Sequence, residues 1–393
     1  MPGHDDERHA RFDQLRREAP VWFDAPSASF VLSRMADARA WLADPAQWKD
    51  ADRAEPEALI HAFKPADMNR PGDRDSGMGW MDEPDHSRVR RPIQAALVRR
   101  VARMKGDVEA IVAEQLDRLP AAGVFDALAD YAAPIPIAVI GRVLGVDTAD
   151  LGRFRAWSEA MLNVFNPSPT EADRAATKTA ADAILDYLDA AMAERKARPR
   201  EDLISDLVAE QAQTGSLSDS EIRVNCLNLL LGGNVTTADL IANGLNLLLR
   251  HPGELARLRA DPGLIGPAIE EMLRFEPPTE GAQRVASADL ALRGCPVRAR
   301  QVVAVMIPAA NRDPDAFPDP HRFDIARRDG PHVTFGAGAH TCIGAPLARL
   351  EARAAILGLV QRFPDLSLAD ADAGPLWRDA PFFRGLRTLP VRI

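Results

Sequence analysis

"TFGAGAHTCIGAPLARLEARAAIL", Thr334 to Leu357, decides how this 393-residue chain is read. Three glycines, Gly336, Gly338 and Gly344, crowd one cysteine, Cys342. Glycine lets backbone pass close to a sulfur and enter the left-handed region without a Cβ penalty. A helical pattern starts directly afterwards, with Pro346 in its first turn, where a missing N–H costs nothing. Cys342 is therefore expected just before a helix N-terminus, where free N–H groups and the macrodipole favour a thiolate. Such a sulfur serves as a nucleophile or a metal ligand. A nucleophile needs a base, and His340, two residues away in a loop, is not obviously placed to be one. Zinc lacks three partners, whereas a haem iron needs one thiolate only.

A second stretch, "LLGGNVTTADL" (Leu230 to Leu240), sets six poor helix formers inside a long apolar-periodic run. The run is bounded. Ser218 and Glu221 fit a capping box, and His251-Pro252-Gly253 stops the helix. That predicts one helix over 219–250, roughly 48 Å long at about 1.5 Å per residue. Cys226, Leu229, Leu230, Gly233, Thr236, Thr237, Leu240, Gly244, Leu247 and Leu248 form one stripe along it. Gly233 and Thr236 interrupt the stripe. Either another helix packs tightly there, or something large and flat lies against the glycines beside a hydroxyl.

Hydrophobic residues at 46% and charged residues at 27% are those of a soluble globular chain. A net charge of −9 argues against nucleic acid as the main partner. Three cysteines without a C-x-x-C argue against a disulfide framework and a structural zinc site. The start, "MPGHDDERHARF", has no apolar core of a signal peptide, and no run of about 18 uninterrupted apolar residues occurs. A cytoplasmic protein with no membrane span is expected. Pro20 to Arg34 predicts two strands around Ala25-Pro26-Ser27, and "LALRGCPV" and "QVVAVMIP" predict more. Arg70–Met81, Asn166–Asp173 and Asn311–His332 predict loops, and most of the rest predicts helix. The fold class expected is mainly α with a minor β part, as a single domain over 1–393.

"FGAGAHTCIG" resembles the haem-thiolate signature of cytochromes P450, F-G-x-G-x-H/R-x-C-x-G, with Phe335, Gly336, Gly338, His340, Cys342 and Gly344 at its fixed positions. "EMLR" (Glu271 to Arg274) resembles the family's E-x-x-R. "NRDPDAFPDPHRF" resembles its meander, "DHSRVRR" its H-x-x-x-R, and "GGNVTT" its oxygen-binding groove. Order and spacing fit from about residue 10 to the end. The resemblance implies the P450 fold, with a long distal helix at 219–250 and a thiolate loop at 335–344. It implies haem b, bound through the Cys342 sulfur, with Gly233, Phe335 and Gly344 in contact. His86 and Arg90 would hold one propionate, Arg284 and His340 the other. Glu271 and Arg274 would be tied to the meander through Arg322. Taken singly, each pair reads as an ordinary helix-surface contact, and each apolar member as core.

By the same resemblance the chain is a monooxygenase, with Thr236 and Thr237 as the distal hydroxyls. Val235 departs from the family pattern, which places a proton-relay acid immediately before the threonine. Protons then come through water, Thr236 and another acid such as Asp239 or Glu280, or from the substrate, or delivery is poor. The pocket expected is Trp80, Met161, Leu162, Phe165, Leu229, Gly233, Thr279, Glu280, Ala282, Phe382 and Phe383, suited to a small-to-medium hydrophobic substrate. Glu280 either pairs with a cationic substrate or faces solvent. No flavin or iron–sulfur module accompanies the P450 part, so a ferredoxin and its NAD(P)H-linked reductase are the expected partners of a monomer. Arg99, Arg100, Arg103 and Lys105 form the docking candidate. The rivals are a peroxide-driven haem-thiolate enzyme, a non-catalytic haem or ligand-binding protein, and a cysteine hydrolase.

Overall fold

The computed structural model describes residues 4–63, 77–147, 150–161, 169–380 and 382–393. The helices begin with α1 (His4–Glu18), α2 (Met35–Ala43), α3 (Asp85–Val101), α4 (Lys105–Arg118), α5 (Pro134–Leu144) and α6 (Leu151–Met161). They continue with α7 (Glu171–Ala197), α8 (Leu203–Thr214), α9 (Asp219–Arg250), α10 (Pro252–Ala260), α11 (Ile265–Phe275), α12 (Ile307–Ala310) and α13 (Ala345–Arg362).

The long helix is α9, with the bounds that its caps predict. The Ser218 hydroxyl oxygen accepts from the Glu221 N–H at 3.0 Å, and the Glu221 carboxylate accepts from the Ser218 N–H at 2.8 Å. This helix is buried along most of its length and packs against α5, α7, α11 and α13. Its glycines do two different things. A Cβ on Gly244 would lie 2.6 Å from Met272 Sδ and 2.9 Å from Ile356 Cδ1, so Gly244 allows α9 to approach α11 and α13 closely. A Cβ on Gly232 would meet nothing within 4 Å, and one on Gly233 only Ile140 at 3.7 Å. These two bound a cavity.

One sheet has the order β1 (Val21–Asp24), β2 (Ser29–Leu32), β7 (Val302–Met306), β4 (Gly281–Val285). β1 and β2 form the hairpin expected at Ala25–Ser27, β2 runs parallel to β7, and β4 runs antiparallel to it. β5 (Leu290–Leu292) and β6 (Cys295–Val297) form a second hairpin. Sequence reading missed the third sheet, β3 (Val124–Asp126), β9 (Pro390–Arg392) and β8 (Ser367–Leu368). Strands of two or three residues are too short for a period-2 signal, so the tail expected as turns ends in a strand. Of the expected loops, Asn311–His332 is one. Residues 70–76 and 162–168 lie outside the described residues, and α7 starts inside Asn166–Asp173, capped by Thr170. Ala127–Leu144 is apolar enough to cross a membrane by composition, yet it packs against α9 as core.

The meander is held by buried charge. Arg274 donates to Glu271 at 2.7 and 2.9 Å and to the carbonyls of Asn311 and Pro320 at 3.0 Å each. The third side chain of the network is Arg327, which donates to Glu271 at 3.2 Å. This corrects the expectation of Arg322, whose side chain is 65% exposed and reaches only Asp324 at 3.7 Å, while its carbonyl accepts from Arg327. Both arginines sit in the same loop, and the loop's path, not its composition, selects between them. Removing one member of a buried charge network strands the others, typically at about 3–5 kcal/mol. Arg327→Ala should therefore lower unfolding free energy by about 3 kcal/mol in denaturant titration, whereas Arg322→Ala should change it by less than about 0.5 kcal/mol. Equal effects would refute the assignment.

Candidate active site

The loop before α13 is built by backbone that only glycine adopts easily. Gly336 and Gly338 have φ of +74° and +72°. A Cβ on Gly338 would lie 2.6 Å from the Ala43 Cα, so this residue also presses the loop against the end of α2. The Cys342 N–H donates to the Phe335 carbonyl at 2.8 Å and closes the loop. Gly344 lies beside the sulfur: a Cβ there would stand 3.8 Å from Cys342 Sγ, at ordinary contact distance. Arg349 lies 4.6 Å from the Phe335 ring centroid while gripping Glu270 at 2.7 and 2.8 Å. Phe335 is thereby clamped under the loop.

The N–H groups of Gly344 and Ala345 point at the Cys342 sulfur, as expected of a helix start. Burial outweighs them and pushes the thiol above its ordinary range. That tempers the expected thiolate. Among the described residues no group of three or more His, Cys, Asp or Glu is placed to hold a metal ion.

The sulfur opens onto a cavity of about 430 Å³. Phe335, Gly336 and Gly344 line it from the loop, and Leu229, Gly233, Thr236, Thr237 and Leu240 from α9. Trp80, Thr279 and Ala282 also line it. Thr236 donates its hydroxyl proton to the Gly232 carbonyl at 2.7 Å, which leaves its oxygen lone pairs as acceptors. The other expected pocket members lie elsewhere. Met161 is fully buried in core and does not line the cavity. Phe382 and Phe383 pack edge-on at 5.2 Å, and Phe383 bridges to Thr279 through backbone, also off the wall. Leu162 and Phe165 lie outside the described residues.

One corner of the cavity gathers basic side chains. Arg90, Arg284 and His340 line it, and the His86 ring stacks on His340 with centroids 4.0 Å apart. Burial, then Arg284 and His86, press His340 down to about 2. Burial lowers Arg284 to about 10, and lowers Arg90 and His86 as well. The His86 Nε2 is buried without a hydrogen-bond partner. Lys49, which sequence reading missed, lines the same corner, and burial and Arg284 hold it at about 7. Desolvated cations that repel one another are costly unless an anion joins them. A flat group with two carboxylates, metal-bound at Cys342, fits these residues.

The acids proposed for proton delivery face away from this cavity. Asp239, pushed up to about 7 by burial, pairs with Arg378. Glu280 accepts from Arg8 at 2.6 Å, which settles its choice between a substrate and solvent in favour of neither. Val235 is buried and does not line the wall. The acid that does line the cavity is Glu351 on α13. It is buried, its Oε2 has no hydrogen-bond partner, and burial holds it protonated well above the usual carboxylate range. A signal existed: Glu351 stands on the apolar stripe Leu347, Glu351, Ala355, Leu359, where a charge is out of place.

Residues 151–262 and 264–372 match the family model Cytochrome P450. The chain is 41% identical over 321 residues to 6-deoxyerythronolide B hydroxylase of Saccharopolyspora erythraea, covering 81% of this chain and 78% of the other. It is 40% identical over 360 residues to cytochrome P450 monooxygenase PikC of Streptomyces venezuelae, covering 90% and 83%. The crystal structure of P450BioI with an acyl carrier protein carrying hexadec-9Z-enoic acid matches with a TM-score of 0.88, 30% identity and 98% coverage of both chains. That of myxobacterial CYP267B1 with myristic acid matches with a TM-score of 0.88 and 35% identity over 98% and 96% of the chains. The glycine-cradled cysteine, the glycine-flanked hydroxyl of α9 and these likenesses agree: the chain belongs to the cytochrome P450 family of haem-thiolate monooxygenases.

Proposed function

We propose that this enzyme inserts one oxygen atom from O₂ into a small-to-medium hydrophobic substrate, using haem b held by Cys342. The observation that carries this reading is the sharing of one cavity by Cys342, Thr236 and the protonated Glu351. The haem, when bound, supplies oxygen activation, and a thiolate ligand favours O–O cleavage. The protein's part is positioning and protons. Arg90 and His86 would take one propionate, Arg284 and His340 the other, through charge-assisted hydrogen bonds. Phe335 and Gly344 would support the group beside the sulfur, and Gly233 would clear space on its other side.

Proton delivery needs no acid at position 235 on this reading. Burial pushes the Glu351 carboxyl well above the usual carboxylate range, which favours its protonated form. Thr236, its own proton engaged with Gly232, can accept from a water or donor in the cavity. Glu351 thus takes the role that Asp239 and Glu280 cannot reach. A retained proton route favours O₂-driven over peroxide-driven chemistry. The cavity wall of Leu229, Leu240, Ile140 and Ala282 suits an apolar substrate. Relatives named for a deoxyerythronolide hydroxylation and structures bound to fatty-acyl ligands support polyketide- or acyl-type molecules.

Electrons would come from NAD(P)H through a ferredoxin and its reductase in the cytoplasm. The docking face narrows to Arg99 and Arg103, which are exposed and carry no ion pair among the described residues. Arg100 is committed to Asp206 at 2.7 and 2.8 Å, and Lys105 lies 3.8 Å from Glu109.

Three outcomes are expected. With ¹⁸O₂ and a surrogate ferredoxin pair, the product should gain one labelled oxygen; label arriving only from peroxide would overturn the O₂-driven reading. Glu351→Gln should lower product formed per NAD(P)H consumed at least about tenfold, within the range of a lost general acid. Val235→Asp, by contrast, should gain little. Unchanged coupling in Glu351→Gln would remove that residue from the relay. Reversing Arg99 and Arg103 to Glu should slow reduction by ferredoxin about tenfold at low salt, and added salt should slow the parent. A salt-independent parent rate would count against the docking face.

A further inference from the structure

Lys49 is unaccounted for by the residues assigned above. Its position is set by sheet pairing. The Trp48 N–H donates to the Val285 carbonyl at 2.9 Å, and the Val285 N–H donates back at 2.8 Å. This bridge lays Lys49 alongside the end of β4, where Arg284 sits. The Lys49 N–H is tied to Asp82 Oδ1 at 2.5 Å, so the backbone is anchored on both sides. The Lys49 ammonium lies 4.5 Å from the Trp80 ring centroid, and both residues line the cavity.

That ammonium has no hydrogen bond or ion pair among the described residues. Asp82, the acid in its neighbourhood, is already engaged by the Lys49 N–H and by Arg53 at 3.0 Å. A cation–π contact with tryptophan compensates only about 0.5–2 kcal/mol of desolvation. Lys49 is half-buried, so the remainder of its desolvation cost calls for an anion. The nearest charged neighbour facing the cavity, Arg284, is itself a cation. Lys49 and Arg284 therefore converge on one requirement for negative charge, with the His340 ring lining the same corner.

We propose that Lys49 is a carboxylate-binding residue of the cavity and completes, with Arg284 and His340, a three-donor grip on one porphyrin propionate. The proposal rests on the haem reading given above. Trp80 backs the ammonium and limits its rotamers, so the lysine is held toward the carboxylate instead of being free to leave the cavity. A carboxylate on a substrate would be the other source of the same chemistry. The haem side chain is favoured because Arg284 and His340 share the corner, whereas the apolar wall lies along α9.

The test uses the haem-loaded enzyme and two variants, Lys49→Met and Lys49→Arg. Haem transfer to excess apomyoglobin is followed by absorbance, and the reduction potential by dye-equilibrated titration. Lys49→Met should release haem about tenfold faster, as expected for one lost charge-assisted bond. Its potential should move in the negative direction, because a cation that opposes the ferric charge is gone. Lys49→Arg should restore both toward the parent, which loss of packing alone would not predict. Parent-like transfer and potential in Lys49→Met would overturn the proposal. So would parent-like haem retention combined with a lost preference for myristic acid over its methyl ester in Soret-shift titrations, since Lys49 would then read a substrate carboxylate. If the parent itself carries no thiolate-ligated haem spectrum, the underlying reading fails before Lys49 is examined.

Discussion

One sulfur must lie against backbone at the start of a buried helix, and much of the chain is arranged to allow it. The Cys342 loop can close on Phe335 only with Gly336 and Gly338 in left-handed conformations, and Gly338 can press on Ala43 only without a side chain. Because the loop feeds straight into α13, the same geometry that places the sulfur also places Glu351 on the cavity. α13 packs on α9, which brings Gly232, Gly233 and Thr236 to that cavity. The Glu271–Arg274–Arg327 network then secures the meander that leads into the loop. Thr334, at its entry, donates to the Leu273 carbonyl at 2.7 Å and so ties the loop to α11. Position and chemistry are therefore one constraint seen at two scales.

Electrostatics divides the cavity. The corner near Lys49, Arg90 and Arg284 gathers positive charge where desolvation makes it unfavourable, and the acid on α13 is pushed toward its protonated form for the same reason. Both are pKa effects of burial, with opposite outcomes: cations are pressed toward neutrality until an anion arrives, and a carboxyl retains its proton. Groups perturbed by burial and converging on one concave site are the expected mark of a functional centre. Asp239 and Glu280, perturbed by burial too, are structural here because each has its own arginine, Arg378 and Arg8.

Features encoded locally were legible in the sequence. The bounds of α9 follow from a capping box and a His-Pro-Gly stop, and the cysteine loop from three glycines around one sulfur. What depended on the path of the chain was not. Arg322 and Arg327 share one loop, and only its fold shows which reaches Glu271. Phe382 and Phe383 look like pocket residues until their backbone pairing with the 278–280 segment turns them elsewhere. Lys49 acquires meaning only through the Trp48–Val285 bridge, a contact between distant segments. Glu351 stood on an apolar stripe and could have been found. Val235, an anomaly in sequence, is a buried residue off the cavity wall, and the acid that lines the cavity, Glu351, lies on another helix.

The most direct measurement is the absorption spectrum of the dithionite-reduced protein under carbon monoxide, for the parent and Cys342→His. A strongly red-shifted Soret band in the parent, replaced in Cys342→His by the unshifted band of an imidazole-ligated haem, is the expected result. An unshifted band in the parent, or a red-shifted band that survives the substitution, would contradict a site built around the Cys342 sulfur.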